Sequence, residues 1–239
     1  MKGTEPQVAA SGALARTCVV IPAYNEGAVI AGVLSGLLPL GSTLVVVDDG
    51  STDDTYEACL SYPVGLLRHA SNLGQGAALT TGITYALQEL APDYLVTFDA
   101  DGQHRADDVA RLLDPLTTSE FDVALGTRFA RPQDAAAIPA GRRALLRLAT
   151  RYTRLSSGLA VSDTHNGLRA FTAEAAASLE LIQAGMAHAS EILTSVRKSG
   201  LRWCEVPVSI DYGSYSSAKG QRSLSSFNII WDTITGRMR

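Results

Sequence analysis

Three short apolar runs each end abruptly in a cluster of polar residues, and this recurrence restricts the fold more than any other feature of the chain. Cys18-Val19-Val20-Ile21 ends in Pro22-Ala23-Tyr24-Asn25-Glu26. Thr43-Leu44-Val45-Val46-Val47 ends in Asp48-Asp49-Gly50-Ser51-Thr52-Asp53. Tyr94-Leu95-Val96-Thr97-Phe98 ends in Asp99-Ala100-Asp101-Gly102-Gln103-His104. Runs without a polar alternate suit strands buried on both faces, as in a parallel sheet covered by helices. Ligands in such sheets bind beyond the carboxyl ends of the strands. One acidic strand end is explained by helix capping, as Asp53 before Tyr56 and Ala58 suggests. Three such ends in one sheet favour a shared polar site.

The order of elements supports an α/β fold. Strands are predicted over Cys18–Ile21, Thr43–Val47, Val64–Leu67, Tyr94–Phe98 and Val123–Leu125. Helices are predicted between them, over Ala28–Leu37, Asp54–Leu60, Gly76–Leu90 and Ala106–Leu116. Alternation of this kind implies a mostly parallel sheet with right-handed crossovers, flanked by helices. After Arg128 the alternation stops. Arg142–Ser157, Glu174–Ile182 and Ser190–Lys198 read as helices, and Leu168–Phe171 and Trp203–Ile210 as strands completing the site. Residues 1–16 read as a disordered arm, 17–211 as one domain, and 212–239 as a flexible Gly-, Ser- and Tyr-rich loop with a last helix over Phe227–Thr235.

Composition narrows the class. The chain has 239 residues, 46% of them apolar, enough for one α/β domain with a sizeable core. A net charge of −4 argues against a general nucleic-acid binder. The three cysteines, Cys18, Cys59 and Cys204, have neither metal nor redox spacing, and a reducing cytoplasmic setting is expected. No apolar leader is evident in the first residues, and the longest weakly polar stretch, Gly27–Leu40, is too short to span a bilayer.

Asp99 and Asp101 carry the sharpest chemical signal. Residues i and i+2 of a strand share a face, so both carboxylates point one way if strand geometry persists. Such a pair at a sheet edge can seat a hard divalent cation, Mg2+ or Mn2+, with positions left for phosphate oxygens. The plain alternative is a capped turn, with Asp101 or Asp107 starting the next helix.

These motifs, with Asn72-Leu73-Gly74-Gln75-Gly76 between the second and third, resemble the family 2 glycosyltransferases in order and spacing. The likeness runs from about Thr17 to Ile210 and is strongest over Val19 to Arg128. Within that family the chain most resembles the dolichyl- or polyprenyl-phosphate sugar synthases. The resemblance implies a GT-A fold, a Rossmann-like sheet with acceptor-side helices towards the C-terminus. It implies a nucleoside-diphosphate sugar donor, UDP- or GDP-linked, and a polyprenyl phosphate acceptor. By the same resemblance, Pro22, Ala23, Tyr24 and Glu26 line the base and ribose pocket, and Asp48 and Asp49 contact the nucleoside. Gln103 joins Asp99 and Asp101 at the metal, with a simple turn residue as its alternative. Gln75 stands where relatives often carry Lys, at a helix entry facing the donor. Arg128, in Gly126-Thr127-Arg128-Phe129, is a candidate phosphate ligand or else half of a structural ion pair. Arg169, closing Asp163-Thr164-His165-Asn166-Gly167-Leu168-Arg169, is a candidate for the acceptor phosphate. His165 and Asn166 depart from the best-known synthases. Tyr215–Arg222, with Lys219, resembles a loop that closes over donor phosphates, against the alternative of a solvated linker.

Two acceptor classes remain open. A phosphate acceptor arrives ionised, whereas a hydroxyl of a glycan or protein needs a general base, for which Glu191 and Asp163 are candidates. Both residues also suit helix starts. Processive synthases carry Gln-X-X-Arg-Trp; here Ser199 replaces the Gln before Arg202-Trp203, which favours a single transfer. A non-catalytic nucleotide-sugar sensor is disfavoured by the intact Asp99-Ala100-Asp101. Arg142, Arg143, Arg147, Arg151 and Arg154 share a window with Leu145, Leu146, Leu148 and Leu155 and contain no acid. That pattern suits either a basic amphipathic helix on an anionic membrane or a solvated basic face. Peripheral work at the cytoplasmic face of the membrane is expected, with a separately encoded membrane protein as a candidate partner.

Overall fold

The computed structural model describes residues 12–129, 158–164, 166–180 and 188–211. The chain lays down β1 (Thr17–Ala23), α1 (Ile30–Leu37), β2 (Thr43–Asp48), α2 (Thr55–Cys59), β3 (Gly65–Arg68), α3 (Gln75–Tyr85), β4 (Tyr94–Thr97), α4 (Asp107–Thr117) and β5 (Val123–Thr127). It continues with β6 (Arg169–Thr172), α5 (Ala173–Ala177), α6 (His188–Lys198) and β7 (Trp203–Pro207). The strands form one sheet in the order β3-β2-β1-β4-β6-β5-β7.

Strand alternation divides the core. Val19, Ile21, Leu44, Val46 and Val96 face Ile30, Leu34, Leu37, Leu112 and Leu113 of α1 and α4. Their neighbours Cys18, Val20, Val45, Val47 and Leu95 face Ala78, Leu79 and Ile83 of α3, and Ile192, Leu193 and Val196 of α6. A polar residue on either face would lie under a helix, which accounts for the unbroken apolar runs. Burial raises the Cys18 thiol to about 12 and the Cys59 thiol to about 11, so both act as small apolar residues.

The sheet is mostly parallel, with one reversal. β6 pairs antiparallel with both β4 and β5, while β7 runs parallel to β5. The reversal matters for the site. An antiparallel strand enters the sheet at the edge where its parallel neighbours leave it, so the residues before β6 lie beside the carboxyl ends of β4 and β5. β7 leaves at that same edge, where Ile210 bridges His104 and the Asp211 N–H donates to the Gln103 carbonyl at 2.9 Å.

Two local features differ from the sequence reading. Residues 12–16, assigned to the N-terminal arm, pack on the domain: Ala13 and Leu14 are buried, and Thr17 and Ser42 donate hydroxyl bonds to their carbonyls. Small apolar residues in a run too short to show a period left no sequence signal. The third helix keeps its predicted end, but its last residues, Ala86–Leu90, wind wider than an α-helix and close at Ala91 with φ 45°. The helix expected over Glu174–Ile182 ends early, at Ala177, and the first eleven residues, the Arg142–Ser157 window, His165 and everything after Asp211, including Lys219, lie outside the described residues.

Candidate active site

Strand order reverses on either side of β1, since β2 and β3 lie on one side and β4 on the other. Crevices of this kind, beyond the carboxyl ends of the strands, are where open α/β sheets bind ligands. The polar ends of β1, β2 and β4 meet there.

The end of β1 is tied to the end of β2. Asn25, in a left-handed conformation (φ 53°), receives the Thr52 N–H on Oδ1 at 2.9 Å and donates its own N–H to Ser51 Oγ at 2.9 Å. The Glu26 N–H donates to Thr55 Oγ1 at 2.8 Å, and Glu26 is buried. Pro22 and Ala23 are buried in β1. Tyr24 is 41% exposed, which leaves its ring available to a ligand.

Asp48 and Asp49 are both buried, and both act on the protein itself. Asp48 accepts the Ser51 N–H at 3.1 Å and stands 3.0 Å from Arg68 Nε, although its Oδ2 receives no aligned hydrogen bond. Arg68 lies over the Tyr56 ring at 4.5 Å. Asp49 takes His69 Nδ1 at 2.7 Å, the Leu73 N–H at 2.9 Å and the Gly74 N–H at 2.8 Å. Gly50, at φ 69°, makes the turn between these carboxylates and Ser51. A shallow cavity of about 420 Å³ lined by Gly50, Ser51, Thr52, Arg68, His69 and Ala70 opens beside them.

β4 ends at Thr97, so strand geometry does not carry Asp99 and Asp101 onto one face, as the sequence pattern alone suggested. A turn sets them instead. Asp99 receives Gln75 Nε2 on Oδ1 at 2.9 Å and His104 Nε2 on Oδ2 at 3.1 Å. Asp101 receives the Gln103 N–H at 3.0 Å and Gln103 Nε2 at 2.7 Å. The two carboxyls move in opposite directions. Burial pushes Asp99 up, but the His104 bond and the charges of His104, His188 and Arg169 bring it below the usual carboxylate range. Asp101 is raised by burial, then by the charges of Asp99 and Glu26, against the pull of its Gln103 bond and His104.

That mutual repulsion is what a cation between them would relieve. Two carboxylates and the Gln103 amide are oxygen donors of the kind Mg2+ and Mn2+ prefer. Among the described residues no three His, Cys, Asp or Glu side chains gather in metal-holding geometry. The arrangement therefore fits a cation held jointly by protein and a phosphate-bearing ligand, and not a closed protein cage.

The turn before β6 completes the crevice. Gly167 packs so closely on Asp99 that a Cβ there would lie 2.2 Å from Oδ2, and its carbonyl accepts Thr97 Oγ1 at 2.7 Å. Arg128 and Asp163 form a buried bidentate pair, Nε to Oδ2 at 2.6 Å and Nη2 to Oδ1 at 2.7 Å. Of the two roles left open for Arg128, the structure displays the ion pair. Asp163, a candidate base, has both oxygens engaged by that guanidinium. Arg169 turns inward, donating to the carbonyls of Asn166, Thr164 and Ala189, and burial pushes it down to about 10 despite the Asp99 and Asp163 charges. Glu191 lies half-buried in the first turn of α6.

Sequence reasoning gave no role to two residues that fix the carboxylates and one that joins the loops beside them. His69 holds Asp49, His104 holds Asp99, and Asn25 joins two loops. His104 was visible inside the Asp99–His104 motif. His69 lay in a run with no pattern to mark it.

A doubly wound sheet with a carboxylate pair at its switch point is the architecture of the GT-A fold. Comparison with known proteins agrees. Residues 18–179 match the family model for Glycosyl transferase family 2, and the chain belongs to that family. It is a glycosyltransferase. It is 31% identical over 240 residues to the UDP-N-acetylglucosamine--dolichyl-phosphate N-acetylglucosaminyltransferase of Methanococcus voltae, covering 92% of this chain and 95% of that one. It is 34% identical over 175 residues to the polyprenol monophosphomannose synthase of Mycolicibacterium smegmatis, covering 70% and 65%. Among solved structures it is similar to glucosyl-3-phosphoglycerate synthase of Mycobacterium tuberculosis in complex with Mn2+, UDP and glucosyl-3-phosphoglycerate. That match has a TM-score of 0.62 and 23% identity, over 90% of this chain and 78% of that one, a likeness of fold.

Proposed function

We propose that this enzyme transfers one sugar, with inversion, from a nucleoside-diphosphate sugar to a polyprenyl phosphate. The observation that carries the donor half is the Asp99–Asp101 pair at the switch-point crevice, with Asp101 raised by burial and its acidic neighbours. Asp99, Asp101 and Gln103 would hold Mg2+ or Mn2+. A cation there neutralises charge as the diphosphate departs. The structural relative's complex with Mn2+ and UDP supports this reading. The exposed Tyr24 ring and the cavity beside Asp48 suit a base and ribose, with UDP and GDP both within reach. Lys219, Arg128 and Arg169 stay candidates for phosphate contacts after rearrangement.

The acceptor half rests on two supports. Relatives alike over most of their length are named for a dolichyl-phosphate acceptor and for a polyprenol monophosphomannose product. In addition, Asp163 is engaged by Arg128, so one of the two candidate bases is not aimed at a substrate proton. A phosphate acceptor attacks without surrendering a proton. The chain's task is then to exclude water and orient the two phosphates. Among the described residues no helix is long and apolar enough to cross a membrane. Work at the cytoplasmic face, with a membrane protein as docking partner, belongs to this proposal.

Donor hydrolysis tests the metal-dependent half. UDP- and GDP-linked sugars are incubated with the protein and Mn2+, and release of the nucleotide is followed. Hydrolysis of one donor that vanishes in chelator is expected. Undiminished hydrolysis in excess chelator would remove the cation from the account.

A further inference from the structure

We propose that Gln75 is a positioning residue that holds Asp99 in the orientation the cation requires, an inference that rests on the metal reading above. Asp99 sits past the end of β4 with no ladder to fix it. Its two oxygens instead receive one donor each, Gln75 Nε2 on Oδ1 and His104 Nε2 on Oδ2. A carboxylate fixed in this way spends less conformational freedom when it takes a cation.

Gln75 is well placed to act as a support because it is itself anchored. It opens α3, whose Ala78, Leu79 and Ile83 are buried against the sheet. The turn before it is tied to the end of β2 by the two main-chain bonds from Leu73 and Gly74 to Asp49. His69 braces Asp49, donating or accepting through Nε2 with Thr81 Oγ1 of α3 at 2.9 Å. The support for Asp99 thus runs from β2, through the turn and the first residue of α3, to the loop after β4.

The chemistry of an amide matters here. Gln75 donates a hydrogen bond and brings no charge, so Asp99 keeps its full negative charge for the cation. A lysine, which relatives often carry at this place, would keep a donor but add a positive charge that lowers the affinity for a free cation. A methionine would keep the volume and remove the N–H.

The test is a Mn2+ titration of the full chain with saturating UDP and, in a parallel series, GDP, each read against the nucleotide alone, with free Mn2+ followed by electron paramagnetic resonance. Outer-shell partners of metal ligands are typically worth about 10–100-fold in metal affinity. Q75M is expected to weaken Mn2+ binding within that range, Q75K to weaken it further, and both to keep the parent's thermal midpoint in metal-free buffer. Parent and Q75M binding Mn2+ within about twofold would overturn the role of Gln75 and leave the metal reading intact. A parent that takes no Mn2+ would overturn the metal reading and this inference with it. Should Q75M lower the thermal midpoint, Q75K decides: Mn2+ affinity equal to the parent's contradicts the proposal.

Discussion

Asp101 meets opposed demands under this proposal, because its charge would serve a cation and costs the cation-free fold. Its folded carboxyl is raised above the ordinary 3.8 by burial and by Asp99. For a group raised in the folded state, its stabilising contribution is fully present below the unfolded value and is lost as pH rises through the folded value. The metal-free parent should therefore lose stability over that window, and Asp101→Asn should lose less. At neutral pH the variant should melt higher than the parent in chelator while transfer is abolished. Melts across pH, with a transfer assay, check both; full turnover by the variant would contradict the site. Glu191→Gln separates the acceptor classes. Loss should be small with a lipid phosphate, whereas removal of a general base should cost on the order of 10²–10⁴-fold. A large loss at unchanged donor affinity would favour a hydroxyl acceptor. At this scale the sequence revealed residues that sit together, such as Asp99 and Asp101. It did not reveal pairs made by the fold, such as Arg128 with Asp163, separated by 35 positions, or Gln75 with Asp99, separated by 24.

Elements were legible where burial is symmetric. β1, β2 and β4 run under helices on both faces, so their sequences carry no polar alternate and their ends are sharp. β6 was legible as a strand, while its antiparallel placement between β4 and β5 was not. Direction depends on where the preceding chain returns to the sheet, and nothing in Arg169–Thr172 encodes that. Its consequence for the site is direct, since entry at the carboxyl edge sets Gly167 on Asp99. Phe171, fully buried in β6, tests how firmly that strand is held. Phe171→Ala should cost about 3–5 kcal/mol in chemical denaturation, through lost transfer energy and a residual cavity. A cost under about 1 kcal/mol would mean that β6 is loosely packed.

The whole molecule divides its labour between a helix-covered sheet that supplies stability and a carboxyl edge that supplies chemistry. The Arg142–Arg154 window, outside the described residues, suits either a membrane-surface helix or a solvated basic face, and a binding assay separates the two. Each cationic side chain near an anionic surface is worth about 1 kcal/mol and is screened by salt. Replacing Arg143, Arg147 and Arg151 with Gln should release the protein from anionic vesicles in a low-salt pelleting assay, with donor hydrolysis nearly unchanged. Unaltered pelleting would move the contact elsewhere. The central claim is transfer of one sugar to a lipid phosphate, and mass spectrometry of that lipid tests it most directly. Purified polyprenyl phosphate is incubated with the enzyme, Mn2+ and the donor that the hydrolysis screen selects. The account predicts a lipid heavier by a single sugar residue, formed with Mn2+ and absent in chelator. An unchanged lipid beside a glycosylated soluble glycan or protein, or a lipid carrying several sugars, would contradict it.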